Sequence, residues 1–299
     1  MVPQRTLRTY AGITGSVWFM SLAVALPCAA MSAVFYGAST AVQHTRAHAG
    51  AERGDAADLV RLLRDPRWLL SVGGDVVGLV LQVVALSTGP VVLVQPLLVL
   101  AVPVALPVGR LLGGKRPRPS DYLACAAIIA GLSLFFGVVG NPGLAKPLTA
   151  EMAAASVVLA LLLGAVLCGL VHARSASTRA AVYGAVAGAG FGLVGVLLDA
   201  ASAAWRAAGW QGLGAISGWA PLAGVAVVGA AALVLTQVSF QVGPLSASFP
   251  ANEVAAPVVS VTLGATVLHE HMPTSLAATT SYLAALAALV AGTVWLARA

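Results

Sequence analysis

Charge is what this sequence has least of. Only 9% of its 299 residues are Asp, Glu, Lys or Arg, where soluble domains carry about 25%. Another 59% are hydrophobic, and the mean hydropathy of +0.93 leaves too little polar surface to keep a globular domain dissolved. Cysteine is nearly missing: Cys28, Cys125 and Cys168 each fall inside an apolar run, which excludes a disulfide framework. Short segments of alternating polarity are absent, so a transmembrane β-barrel is excluded. Lysine occurs only at 115 and 146 in a chain rich in Arg, Ala and Gly, a composition that points to a GC-rich bacterial genome. The net charge of +6 lies in the segments between apolar runs, which argues against a nucleic-acid partner. No nucleophile stands near a general base within the runs, so an enzyme is not expected.

What the sequence does have is apolar length. Runs able to cross about 30 Å of hydrocarbon fall at 16–42, 67–88, 90–112, 121–140, 149–172, 179–204, 218–240, 244–268 and 275–297. Breakers separate them at Asp65-Pro66, Gly89-Pro90, Gly113-Gly114, Asn141-Pro142-Gly143, Gly243-Pro244 and Met272-Pro273. The first run is too long for a signal-peptide core and reads as a membrane helix. The expected class is therefore an all-α polytopic membrane protein with nine transmembrane helices, ten being the alternative count. Only 43–66 is a loop of any size. With nine spans, twelve of the 16 Lys and Arg fall on the side of the C-terminus. That puts the C-terminus in the cytoplasm and the N-terminus outside a bacterial inner membrane. Tyr10, Trp18, Trp68, Trp205, Trp210 and Trp219 stand near the expected interfaces.

The sequence also repeats itself. STGPVVLVQPLLVLAVPV begins at Ser87 and QVGPLSASFPANEVAAPV at Gln241. Overlaid at this spacing, Gly89-Pro90 matches Gly243-Pro244, Pro96 matches Pro250, Pro103 matches Pro257 and Pro119 matches Pro273. The shift carries the second span onto the seventh, the third onto the eighth and the fourth onto the ninth. Five is odd, so each copy crosses the membrane opposite to its partner, as in the inverted repeats of secondary transporters. The expected organisation is one transporter domain over 1–299, with repeat 1 at about 16–140, a connecting helix at 149–172 and repeat 2 at about 179–297. Proline removes a helical hydrogen bond and displaces the carbonyl four residues back. Pro96, Pro103, Pro250 and Pro257 should therefore break the two matched helices, and freed backbone survives in lipid only where it lines a cavity. Only the second copy places Asn252-Glu253 there; the first has Leu98-Val99.

The stretch LQVVALSTGPVVLVQP, with AAIIAGLSLFF after a basic turn, resembles the first half-repeat of the drug/metabolite transporter superfamily. The second half is similar, with Leu268-His269-Glu270-His271 where EamA-like members write a Gly-Glu-Arg-like turn and Gly114-Lys115-Arg116 at the matching place in the first. Within the superfamily, GDVVGLVLQVVALSTGPVVLVQPL looks most like the NIPA-type magnesium transporters, Gln82 and Pro96 matching best and Asp75 standing about one turn from the family's acid. The resemblance implies two inverted halves around a substrate path.

Ionisable residues inside spans are costly, about 2.5–3.5 kcal/mol each on insertion scales. Glu253, near the middle of the eighth span, and Asp75, in the second, are the expected substrate- or ion-binding acids. Asn252, Gln82, Gln95 and Gln237 would add hydrogen bonds, or serve as interhelical links instead. Asp199, Glu270 and His269 are candidates for gating or coupling. His269-Glu270-His271 reads as a solvated turn, with a pH-sensitive gate as the alternative; its spacing does not suit a metal, and no metal or cofactor is expected. Gly184, Gly188 and Gly192 form a small-residue ridge for close helix packing. The expected function is a secondary transporter for a small polar or amphipathic metabolite, an exporter, acting as monomer or homodimer in the lipid bilayer. A divalent-cation transporter and a non-transporting scaffold subunit are the alternatives.

Overall fold

The computed structural model describes residues 4–50, 64–112, 118–140, 148–243 and 245–298. The turn at Gly114-Lys115-Arg116, the Asn141-Pro142-Gly143 breaker, Pro244 and most of the 43–66 loop lie outside them. Described residues form helices joined by short turns, with no strand among them. The helices are α1 (Gln4–Gly50), α2 (Pro66–Thr88), α3 (Val91–Leu111), α4 (Pro119–Val139), α5 (Ala150–Leu170), α6 (Ala176–Gly214), α7 (Ile216–Val242), α8 (Leu245–Thr266) and α9 (Leu276–Arg298).

Local chemistry sets most of these boundaries. Asp65 caps α2 by accepting from the Arg67 amide at 2.8 Å, with Pro66 opening the helix. Thr149 caps α5 through Met152 and Ser175 caps α6 through Thr178. Pro119 opens α4, and Asp121 reaches back to the Arg118 amide at 2.6 Å. α1 runs to Gly50, past the expected start of the loop. α6 continues to Gly214, but Ala208 and Gly209 leave helical geometry (Gly209 at φ 55°), and Trp205 stacks edge-on against Trp210 at 4.9 Å across this bend.

Eight of these helices are long and apolar enough to cross a membrane. Leu70, Leu111, Leu123 and Leu276 are among the large apolar side chains left exposed, as a lipid-facing surface requires. The chain is an all-α, multi-pass membrane protein. α8, expected as the eighth span, falls outside that group because it carries Asn252, Glu253 and several hydroxyls. Its 22 residues are nonetheless long enough to span, and it packs against α6, α9, α3 and α7. The most polar span is thus among the most enclosed. α5 is the opposite: apolar after its first turn but for Ser156, packed mainly on α6 and α7, and exposed along most of its surface.

The matched prolines act differently in the two copies. α3 passes through a 3-10 turn at Leu98–Leu100, between Pro96 and Pro103. α8 remains α-helical through both Pro250 and Pro257. The expectation of two broken helices holds for α3 only. Three-residue hydrogen bonding in the turn moves α3 off the carbonyl that Pro103 would strike, whereas α8 absorbs its prolines without leaving the helical register.

Candidate functional site

One stripe of α6 organises the interior. Gly184, Gly188, Gly192, Gly195, Asp199, Ser202 and Arg206 recur every three or four residues and so share a face. The first three meet the backbone of α8: a Cβ on Gly184, Gly188 or Gly192 would strike the carbonyl oxygen of Ser248, Asn252 or Ala256 respectively. Both sets advance by four in the same direction, so α6 and α8 run parallel with backbones in contact. The ridge is the close packing its spacing predicts.

Further along, the stripe turns polar and meets the first half of the chain. Gln95 of α3 lies flat on Gly195, buried, its Nε2 without a partner. Asp199 and Ser202 are buried one and two turns on, and the Ser202 hydroxyl is also unpartnered. Arg206 stands 4.0 Å from Asp199 and donates to the terminal carbonyls of α2, Leu86 at 3.3 Å and Ser87 at 2.8 Å. A cation here complements the negative end of the helix.

Glu270 completes this cluster. Its Oε1 accepts from the Val91 amide and its Oε2 from the Val92 amide, both at 2.8 Å, so the carboxylate caps α3 across 178 residues of sequence. The expected solvated turn holds for His269 and His271, which are exposed, but not for Glu270, which is 3% exposed. The physical reason is the cap itself: α3 begins inside the protein after Gly89-Pro90, and buried N-terminal amides need acceptors. His269, at φ 55°, turns the chain so that the acid points inward, and its Nδ1 lies 2.9 Å from the Val267 carbonyl. Burial pushes the Glu270 carboxyl above the usual carboxylate range, while the two amides pull it back down. Glu270 also lies near enough to bear electrostatically on Asp199.

A second network joins α1 to α2. Ser32, Tyr36, Ser39 and Gln43 share a face of α1. The Ser32 hydroxyl donates to the Gly78 carbonyl at 2.7 Å, Tyr36 to Gln82 Oε1 at 2.9 Å, and Gln43 to Asp75 Oδ2. Asp75 and Gln82 are therefore satisfied by neighbours. A third contact joins α7 to α8, where Asn252 donates to the Thr236 hydroxyl at 3.1 Å; Gln237, beside it, is buried with Nε2 unpartnered.

Glu253 differs from all of these. It is half-buried in the middle of α8, and no hydrogen bond or ion pair reaches its carboxyl among the described residues. Phe249, one turn earlier, packs into the cluster of Val99, Val102, Ile128, Leu132 and Leu289, and Val261, two turns later, into that of Val92, Leu93, Phe135 and Ala285. Helical spacing puts Glu253 on the same side, facing α3 near its 3-10 turn.

With this geometry in hand, the chain can be set beside known proteins. It is 30% identical over 255 residues to an uncharacterized protein of Corynebacterium glutamicum, an alignment covering 83% of this chain and 85% of the other. The chain belongs to that protein's family. No protein-family model matches it, and no solved structure does.

In this family member, the residues expected to form one site divide among several interfaces. Gln95, Asp199 and Glu270 come together between α3 and α6; Asp75 and Gln82 face α1; Asn252 and Gln237 lie at the α7–α8 contact; Glu253 stands apart. Asp75 and Glu253 do not meet: Asp75 is held on α1, and α8 packs elsewhere. Among the described residues no group of three His, Cys, Asp or Glu side chains could hold a metal ion. Sequence reasoning missed Gln43, Tyr36, Ser202 and Arg206. The polar stripe on α1 was readable from its three- and four-residue spacing, and Arg206 from standing two turns after Asp199 on the same face.

Proposed function

We propose that the protein is a secondary transporter of the drug/metabolite type, built from two inverted halves of a nine-span bundle in a bacterial inner membrane, with its C-terminus in the cytoplasm. It moves a small polar or amphipathic metabolite outward by alternating access. The observation that carries this reading is Glu253: a carboxyl midway along an enclosed helix, half-buried and without a partner among the described residues, beside the place where α3 leaves α-helical form. A carboxyl in that setting costs free energy unless water, a proton or a cationic group meets it. Irregular backbone in lipid asks for the same kind of space. The unpartnered amides of Gln95 and Gln237 would add specificity. The divalent-cation alternative loses support, because such a path needs several oxygen ligands to converge and the two best candidate acids lie at different interfaces.

The test has two steps. Thermal-shift titration of the purified protein with organic cations, amino acids and Mg²⁺ identifies the ligand class by native-state stabilisation. The binder is then applied to proteoliposomes carrying an entrapped pH dye. Glu253→Gln should lose ligand-driven proton flux while keeping wild-type helicity and melting temperature. Coupled flux at the wild-type rate in that variant refutes the assignment.

A further inference from the structure

A groove of about 800 Å³ runs along the outer side of the bundle, between α5 and the faces of α6, α7 and α8. Leu163 and Cys168 of α5, Val186 and Leu193 of α6, Val238 of α7 and Val259 of α8 are among its walls. Hydroxyl and thiol groups enter at Ser156 and Cys168 alone; every other lining side chain is hydrocarbon or glycine. The groove opens sideways, toward the surface where α5 is exposed. A polar solute finds no hydrogen bonds here, so this is not the path that Glu253 would serve.

Beyond the Val186 end of the groove stands a cation. On α6, Arg179 precedes Val186, Gly190 and Leu193 by seven, eleven and fourteen residues, which puts all four on one face. At 1.5 Å per residue the Cα of Arg179 lies about 10 Å beyond that of Val186, within reach of a long side chain from the end of the groove. Arg179 is half-buried, and its Nε is enclosed without a hydrogen-bond partner. Among the described residues it forms no ion pair. Arg174 stands in the adjoining turn, exposed. The occupant that satisfies both ends is an alkyl body with an anionic head. A guanidinium recognises phosphate through its planar fork of donors, and basic pockets between membrane helices hold acidic lipid headgroups.

We infer that this groove binds one anionic phospholipid, its acyl chain lying along α5 and its phosphate at Arg179. Lipid loading of the delipidated protein in detergent, read by native mass spectrometry, tests this with palmitoyl-oleoyl phosphatidylglycerol against phosphatidylcholine of the same chains. The wild type should take up the first at least tenfold better. Arg179→Gln should bring phosphatidylglycerol down to the phosphatidylcholine level. Arg67→Gln, at the N-terminal end of α2 and away from the groove, should change nothing. Ala231→Trp, which places a ring in the groove from an exposed position on α7, should reduce binding of both lipids. Equal uptake of the two lipids by the wild type overturns the inference, as does an Arg67→Gln loss matching that of Arg179→Gln. A dimer that Ala231→Trp splits overturns it too, since a second copy would then be the occupant.

Discussion

Replacing Glu270 with Ala strips the acceptor from two amides that have nowhere else to turn. Val91 and Val92 are both fully buried, and Glu270 itself is 3% exposed, so water does not substitute readily. A hydrogen bond to a charged group contributes about 1.5–3 kcal/mol; losing two puts the cost of Glu270→Ala at about 3–6 kcal/mol. Gln keeps one oxygen for one amide but turns its NH₂ toward the other, so Glu270→Gln should cost about half as much by the same bond values. Asp is shorter by one methylene and should behave more like Ala than like Gln. The assay is equilibrium unfolding of the purified protein in detergent micelles, followed by helical circular dichroism. The expected order of stability is Glu, Gln, then Asp and Ala. An Ala variant within about 1 kcal/mol of wild type, less than one such bond is worth, refutes the capping argument. A residue that acts only in proton coupling would give a different pattern: Gln would stop ligand-driven flux at unchanged stability.

Gly195→Ala drives a methyl into the Gln95 amide and should destabilise by about 1–3 kcal/mol, the usual range for overpacking; adding Gln95→Ala should recover most of that loss, and simple additivity of the two refutes the contact. Gly188→Leu, set against the Asn252 backbone, should separate α6 from α8 and lower the melting temperature far more than Gly169→Leu, where nothing lies within reach of a Cβ. Equal melting shifts would count against the ridge. His269→Gly should be near neutral and His269→Val should cost about 1–2 kcal/mol, because a β-branched residue resists the left-handed conformation; indistinguishable melting curves for the two would show that the turn adapts.

Span positions were legible because their causes are local. Apolar run length and the breakers at Asp65-Pro66, Gly89-Pro90 and Gly243-Pro244 place most helix ends within a few residues. The glycine ridge of α6 was legible for the same reason: three small residues at one spacing have few uses other than close approach. What the breakers do not reveal is whether a proline bends its helix. Pro96 and Pro103 flank a 3-10 turn, whereas Pro250 and Pro257 sit in a continuous helix. Partners were illegible too. Glu270 meets amides 178 and 179 residues away and Arg206 carbonyls 119 and 120 residues away, so no local pattern distinguishes these polar groups from Glu253, which meets none among the described residues.

The stripe on α6 joins two kinds of contact that respond differently to being pulled apart. At the glycine end, backbone lies on backbone, and a gap of 0.5–1 Å already forfeits roughly a quarter to a half of the dispersion attraction with nothing to replace it. At the Asp199–Arg206 end, each hydrogen bond given up can be exchanged for one to water at modest net cost. α6 is thus clamped to α8 at one end and only latched to α2 and α3 at the other. Any separation of α6 from its neighbours would therefore begin where it meets α2 and α3, and the α6–α8 pair would move as one piece.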